Sequence, residues 1–176
     1  MREVTVALPI IQNCWVVPDI DCWMNNWIAL GVGPFFKFDV EVPEALYRGR
    51  REPLAFTAAL AQAGSVQIEL VQQLSTGPSA YRDVVPAGDF GFHHVCRKFG
   101  EYDNILETLK STGAEVATEF VLSGARYCYV DTRKTHGCMI ELADDSSLGN
   151  QVNTMIREAS IGWDGRDPIR TLAALG

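Results

Sequence analysis

The chain repeats itself, and that repeat limits its fold more than any single segment does. Two stretches share one order: strand, helix, then about three strands. The landmarks fall at matching places. Gln12 and His94 stand near the start of each first strand. Glu69 and Glu141 stand in each last strand, inside Ile68-Glu69-Leu70 and Ile140-Glu141-Leu142. Gln12 and Glu69 are 57 positions apart, and His94 and Glu141 are 47 apart. The first half therefore carries the longer insertion, placed around residues 43–53. The repeat divides a single domain, 1–176, into a first module (5–75), a linker (76–89), a second module (90–145) and a C-terminal turn-and-helix tail (146–176).

Local patterns supply the elements. Ile10 to Val17 reads as a strand stopped by Pro18-Asp19. Asp19 or Asp21 can cap a helix from about Cys22 to Ala29, with Trp23, Trp27 and Leu30 at helical spacing. Phe35 to Val42 alternates, with Phe36, Phe38, Val40 and Val42 against Lys37, Asp39 and Glu41, as a strand does. Residues 43–53 are polar, basic and turn-rich, a loop or hairpin tip. Leu54 to Ala61 and Val66 to Gln73 read as strands. Residues 75–89, rich in Ser, Gly, Pro and Asp, read as linker; Tyr81-Arg82-Asp83 within it could tie the halves together. The second half predicts a strand over 94–99, a helix over 102–111 closed near Gly113, strands over 115–122, 125–131 and 138–143, and a short helix over 151–160.

Composition matters mainly for what it excludes. A net charge of −7 argues against nucleic acid or an anionic membrane as the main partner. No apolar run approaches the roughly 20 residues of a spanning helix. Met1 to Val6 lacks a signal-peptide core. Five cysteines without a CxxC argue for reduced thiols and a cytoplasmic home.

The chemistry concentrates in Gly91-Phe92-His93-His94-Val95-Cys96, which holds two of the three histidines. The glutamates at 69 and 141 pose a question, because an ionised carboxylate in an apolar strand is costly to bury without a partner. A metal shared with a histidine answers it; so does a salt bridge, or exposure on an edge strand. His136 reads as a turn residue rather than a catalytic acid.

These segments together, with Gln12-Asn13-Cys14-Trp15-Val16-Val17-Pro18-Asp19, Gln67-Ile68-Glu69-Leu70-Val71 and Met139-Ile140-Glu141-Leu142, resemble the vicinal oxygen chelate superfamily, also called the glyoxalase/bleomycin resistance/dioxygenase superfamily. The likeness spans roughly 5–145. It implies an α+β fold of two βαβββ modules whose curved sheets form an open, mixed barrel around a metal site. Position by position, it implies Gln12, Glu69, His94 and Glu141 as metal ligands.

Strand parity can be set beside that implication. With Glu69 inward, Gln67 and Val71 share its face while Ile68 and Leu70 pack on a helix. With Glu141 inward, Met139 joins it while Ile140 and Leu142 pack outward. Cys14 accompanies Gln12, Cys96 accompanies His94, and His93 faces away.

One imidazole, two carboxylates and an amide oxygen suit Zn, Co, Ni, Mn or Mg. The set is similar to that of glyoxalase I and close to the methylmalonyl-CoA epimerase branch. That likeness implies proton transfer beside a metal-bound carbonyl of a small-molecule substrate, with Glu141 as first base and Glu69 as its counterpart, and a homodimer. A drug-sequestering binding protein is a second reading. An extradiol-type dioxygenase is a third, ranked lower because Gln12 stands where a second histidine is needed. Trp15, Phe35, Phe36, Phe56 and Met139 are candidates for a hydrophobic pocket. Arg48, Arg50 and Arg51 are candidates for an anion cradle, or for a solvated loop.

Overall fold

The computed structural model describes residues 9–99 and 101–172. The expected module start at residue 5, the N-terminal segment Met1 to Val6 and the end of the tail beyond residue 172 lie outside the described residues. In chain order the elements are β1 (Ile10–Val16), α1 (Ile20–Ala29), β2 (Phe35–Val42), β3 (Leu46–Tyr47), β4 (Arg50–Arg51), β5 (Leu54–Ala63) and β6 (Val66–Gln73). They continue with α2 (Ala80–Val84), β7 (Gly91–Phe99), α3 (Tyr102–Ser111), β8 (Glu115–Leu122), β9 (Ala125–Asp131), α4 (Arg133–His136), β10 (Met139–Asp144), α5 (Ser147–Ser160) and β11 (Ile169–Thr171). The duplicated order is therefore β1-α1-β2-β5-β6 and β7-α3-β8-β9-β10.

All strands join one curved, unclosed mixed sheet in the order β11-β2-β5-β6-β1-β7-β10-β9-β8-β3-β4. Within each half the first strand runs parallel to the last, β1 with β6 and β7 with β10. The halves meet where β1 pairs antiparallel with β7. That junction places the two first strands side by side, flanked by the two last strands. All four positions implied as ligands thus fall on four adjacent strands.

Period-two alternation sorts the side chains. Ile68 and Leu70 leave the concave face and pack with Val17, Ile20 and Met24 beneath α1. Ile140 and Leu142 pack with Tyr102 and Leu106 of α3. The concave face carries Cys14, Phe36, Phe38, Val40, Phe56, Val71 and Met139. The Asp19 carboxylate caps α1, accepting the Cys22 N–H at 3.0 Å. Gly113 closes α3 at φ +84°, a conformation that disfavours side chains. Leu70 is wholly buried against α1. We expect Leu70→Ala to cost about 2–5 kcal/mol of stability through the cavity it leaves, measured by urea unfolding.

Residues 43–53 take the hairpin alternative, and two other stretches differ from the sequence reading. The 43–53 insertion forms the β3–β4 hairpin, whose turn residues Arg48 and Gly49 both take positive φ, as a two-residue type I′ turn requires. The hairpin crosses to the second half and pairs with β8. Residues 75–89 hold the short helix α2, which places Tyr81 in the interior with no exposure. The C-terminal helix starts at Ser147 rather than 151, capped by the Ser146 hydroxyl, which accepts the Gly149 N–H at 3.1 Å.

Two of the three arginines that are candidates for an anion cradle or a solvated loop pair with acids of this chain. Arg48 is committed to Asp83 at 2.7 Å, Asp131 at 2.9 Å and Glu115 at 2.9 Å. Arg51 pairs with Glu44, and Arg50 is exposed. Tyr47 adds its hydroxyl to Asp83 at 2.7 Å, so Asp83 does tie the hairpin to the linker. Arg133 and Arg48 together hold the Asp131 carboxyl well below the usual carboxylate range. A depressed carboxylate contributes stability above its ordinary value, about 3.9, and loses that contribution as pH falls through its folded value. Arg48→Met should therefore destabilise the protein by about 1–3 kcal/mol at pH 7. The difference from wild type should shrink as unfolding is followed down towards pH 2.

Candidate metal centre

The register of the four central strands builds the site. Cys14 lies opposite both Glu69 on β6 and His94 on β7. One step along, Gln12 lies opposite Gln67 and Cys96, and Cys96 lies opposite Glu141 on β10. His94 Nε2 is 3.2 Å from Glu69 Oε2 and 3.3 Å from Glu141 Oε2. His94 has no exposure, and Glu69, Glu141 and Gln12 are 8%, 6% and 7% exposed. The structure thus brings Glu69 and Glu141 each against His94, and places Gln12 on the wall of the cavity that both carboxylates line.

A bulge decides how the histidines face. Between the pairs Cys14–His94 and Trp15–Phe92, β7 carries one extra residue, His93. Strict alternation, which turns His93 away from His94, fails at this point. Instead His93 lies fully buried among Tyr81, Tyr129 and His94. Its Nε2 lies 2.9 Å from the Ala80 carbonyl, which can only accept, so Nε2 carries a proton. Burial and the neighbouring His94 keep His93 neutral, well below the ordinary histidine range. His93 Nδ1 is then a bare acceptor, and it meets His94 Nδ1 at 2.7 Å. His94 must donate from Nδ1, which leaves Nε2 to face the carboxylates.

Nε2 and Glu69 Oε2 are both buried without a hydrogen-bond partner. Nε2 lies close to two carboxylate oxygens without a well-formed hydrogen bond to either. Ligand atoms about 2.0–2.1 Å from a tetrahedral cation sit about 3.3–3.4 Å apart, close to the 3.2 and 3.3 Å that separate the imidazole from each carboxylate. Two carboxylates and a neutral imidazole also balance the charge of a dication. The donor set fits a divalent metal.

Without a cation the cluster must borrow a proton. Burial alone pushes His94 down, but Glu141 and Glu69 overcome it and raise the imidazole to about 9. Burial pushes Glu141 up, and His94, Cys96 and Tyr129 bring it below its ordinary value. Tyr129 in turn shares a 2.8 Å hydroxyl contact with Tyr81. Cys14 Sγ, a Glu69 oxygen and a His94 nitrogen all lie within 4.8 Å of one another.

Above these groups the sheet and α5 enclose about 1000 Å³ of empty space, counting the open mouth. Phe38, Phe56, Leu60, Phe120, Tyr127 and Val152 are among the residues of the apolar wall. Gln67 donates to Asn153 of α5 at 3.1 Å, linking helix to floor. Of the pocket candidates only Phe56 lines this cavity. Trp15 and Phe35 pack on the α1 side, and Phe36 and Met139 lie in the interior packing. Parity rejects Trp15 and Phe35, since each neighbours an inward residue. The tyrosines of β9 carried no comparable signal, because what brings them here is the curvature of the sheet.

The family model described as the glyoxalase/bleomycin resistance protein/dioxygenase superfamily matches residues 11–130. The chain belongs to this superfamily. Solved structures of the superfamily fold are similar across most of this chain. A hypothetical protein from Bacillus halodurans is 16% identical with TM-score 0.60, covering 81% of this chain and 97% of its own. Methylmalonyl-CoA epimerase from Mycobacterium tuberculosis is 14% identical with TM-score 0.54, covering 85% and 98%. A variant of the Streptomyces coelicolor epimerase in complex with 2-nitronate-propionyl-CoA is 14% identical with TM-score 0.50, covering 80% and 96%. No curated protein matches the chain in sequence. Among the described residues of this superfamily member, no helix is long and apolar enough to cross a membrane.

Proposed function

We propose that this superfamily member is a divalent-metal-dependent isomerase, epimerase or lyase that moves a proton next to a substrate carbonyl. The observation that carries the reading is His94 Nε2, held unpartnered between two buried carboxylates on the floor of an apolar cavity. Gln12, Glu69, His94 and Glu141 would hold the ion. When bound, it supplies positive charge that stabilises the electron pair arriving on the carbonyl oxygen.

The chain's own groups do the rest. Glu141 takes the proton as the carbon–hydrogen bond breaks, and the electron pair spreads onto the adjacent carbonyl. Glu141 or Glu69 then returns a proton to carbon, on the same or the opposite face. Contacts from Tyr129 and Cys96 steady the Glu141 carboxylate. His93 fixes the ring of His94, as outer partners of metal-binding histidines do. The aromatic wall keeps water from the reacting carbon.

The cavity favours a small, hydrophobic carbonyl compound. None of the described residues lining it is a lysine or arginine, so the phosphates of a coenzyme A substrate would meet no cation there. The same apolar wall supports the second reading, a binding protein that sequesters a hydrophobic ligand. Incubating the metal-loaded protein in deuterium oxide with a panel of aryl and alkyl carbonyl compounds separates the two. Deuterium entering the carbon beside the carbonyl supports the enzyme. Tight binding without exchange supports sequestration.

A further inference from the structure

We infer that Cys14 is a sulfur donor to the same metal ion, an inference that rests on the metal reading above. Cys14 is the residue that the register sets directly opposite both Glu69 and His94. Gln12 shares its face but lies one step along the strand. Cys14 has no exposure, and its Sγ lies within 4.8 Å of both the Glu69 and His94 ligand atoms. Two polar atoms there, Glu69 Oε2 and His94 Nε2, are buried and unpartnered. The thiol, the carboxylate and the imidazole therefore border one small space.

A cation with sulfur at about 2.3 Å and nitrogen or oxygen at about 2.0–2.1 Å sets sulfur about 3.5 Å from its co-ligands. Since Sγ lies within 4.8 Å of both ligand atoms, an approach of at most about 1.3 Å would bring Cys14 into the shell. Coordination exchanges the S–H bond for a sulfur–metal bond and releases one proton to solvent. The resulting mixture of nitrogen, sulfur and oxygen favours zinc or cobalt over magnesium or manganese, because a thiolate is a soft ligand. Cys96, on the Glu141 side, is the control: it contacts Glu141 but is not grouped with Glu69 and His94.

The test is cobalt(II) titration of the metal-stripped full chain, followed by absorption. The expected result is visible d–d bands together with a near-ultraviolet thiolate-to-cobalt charge-transfer band. Cys14→Ser should lose the charge-transfer band and keep the visible bands, while Cys96→Ser and Gln12→Ala keep the charge-transfer band. Loss of an outer partner already costs about 10–100-fold in affinity, so Cys14→Ser should weaken zinc binding at least about tenfold, and manganese binding less. X-ray absorption of the zinc-loaded wild type, which needs no variant, should show one sulfur scatterer. Visible bands without the charge-transfer band in wild type would overturn the inference and leave the metal reading standing, as would a band that persists in Cys14→Ser or a zinc shell without sulfur. Failure of cobalt to bind at all would overturn the metal reading, and this inference with it.

Discussion

Glu141→Gln protein is expected to exchange the proton beside a substrate carbonyl about 10²–10⁴-fold more slowly than wild type, the range a positioned base supplies. The swap keeps the size of the side chain and its place opposite Cys96, so packing is largely preserved. What it removes is a carboxylate that can accept a proton. Glu141→Ala should lose at least as much and also weaken metal binding. The measurement is deuterium incorporation at saturating metal and substrate, with metal content confirmed for each variant. Exchange within about threefold of wild type would remove Glu141 from the base role; exchange that instead collapses only in Glu69→Gln would pass that role to Glu69.

The second large effect concerns stability. A ligand bound only by the folded state adds about 4 kcal/mol at a thousandfold excess over its Kd, so saturating zinc or cobalt should raise the unfolding free energy by that order. His94→Ala should lose this response entirely. The metal-free variant should also be weaker than metal-free wild type, by about 3–5 kcal/mol, because Glu69 and Glu141 are left buried without their cationic neighbour. Glu69 is in contact with Cys14 and Glu141 with Tyr129, and neither contact supplies positive charge. Chemical denaturation with and without metal measures both effects. An equal metal response in wild type and His94→Ala would place the binding elsewhere.

Much of this was legible because two periodicities were. Alternation in Val66–Gln73 and Met139–Asp144 puts Glu69 and Glu141 on one face and Ile68, Leu70, Ile140 and Leu142 on the other, and the packing follows that division. The repeat then says that the two faces are equivalent, which no strand shows alone. Alternation breaks where the backbone breaks it. The bulge at His93 turns both histidines inward, and no local pattern in Gly91 to Cys96 marks it. The Arg48 cluster was hidden for a different reason. Its acids, Asp83, Glu115 and Asp131, come from three distant segments, and only the crossing hairpin gathers them. The cavity wall depends on curvature: Phe120 and Tyr127 stack with ring centroids 5.3 Å apart, on β8 and β9, which the sheet order separates from β2, β5 and β6 by β1, β7 and β10.

Metal content measured on protein purified without chelator tests the whole account most directly. It should show one equivalent of a divalent ion per chain in wild type and none in His94→Ala, with both proteins folded by circular dichroism. Folded wild-type protein that carries no divalent ion, and takes up none when zinc, cobalt, nickel or manganese is offered, would contradict it.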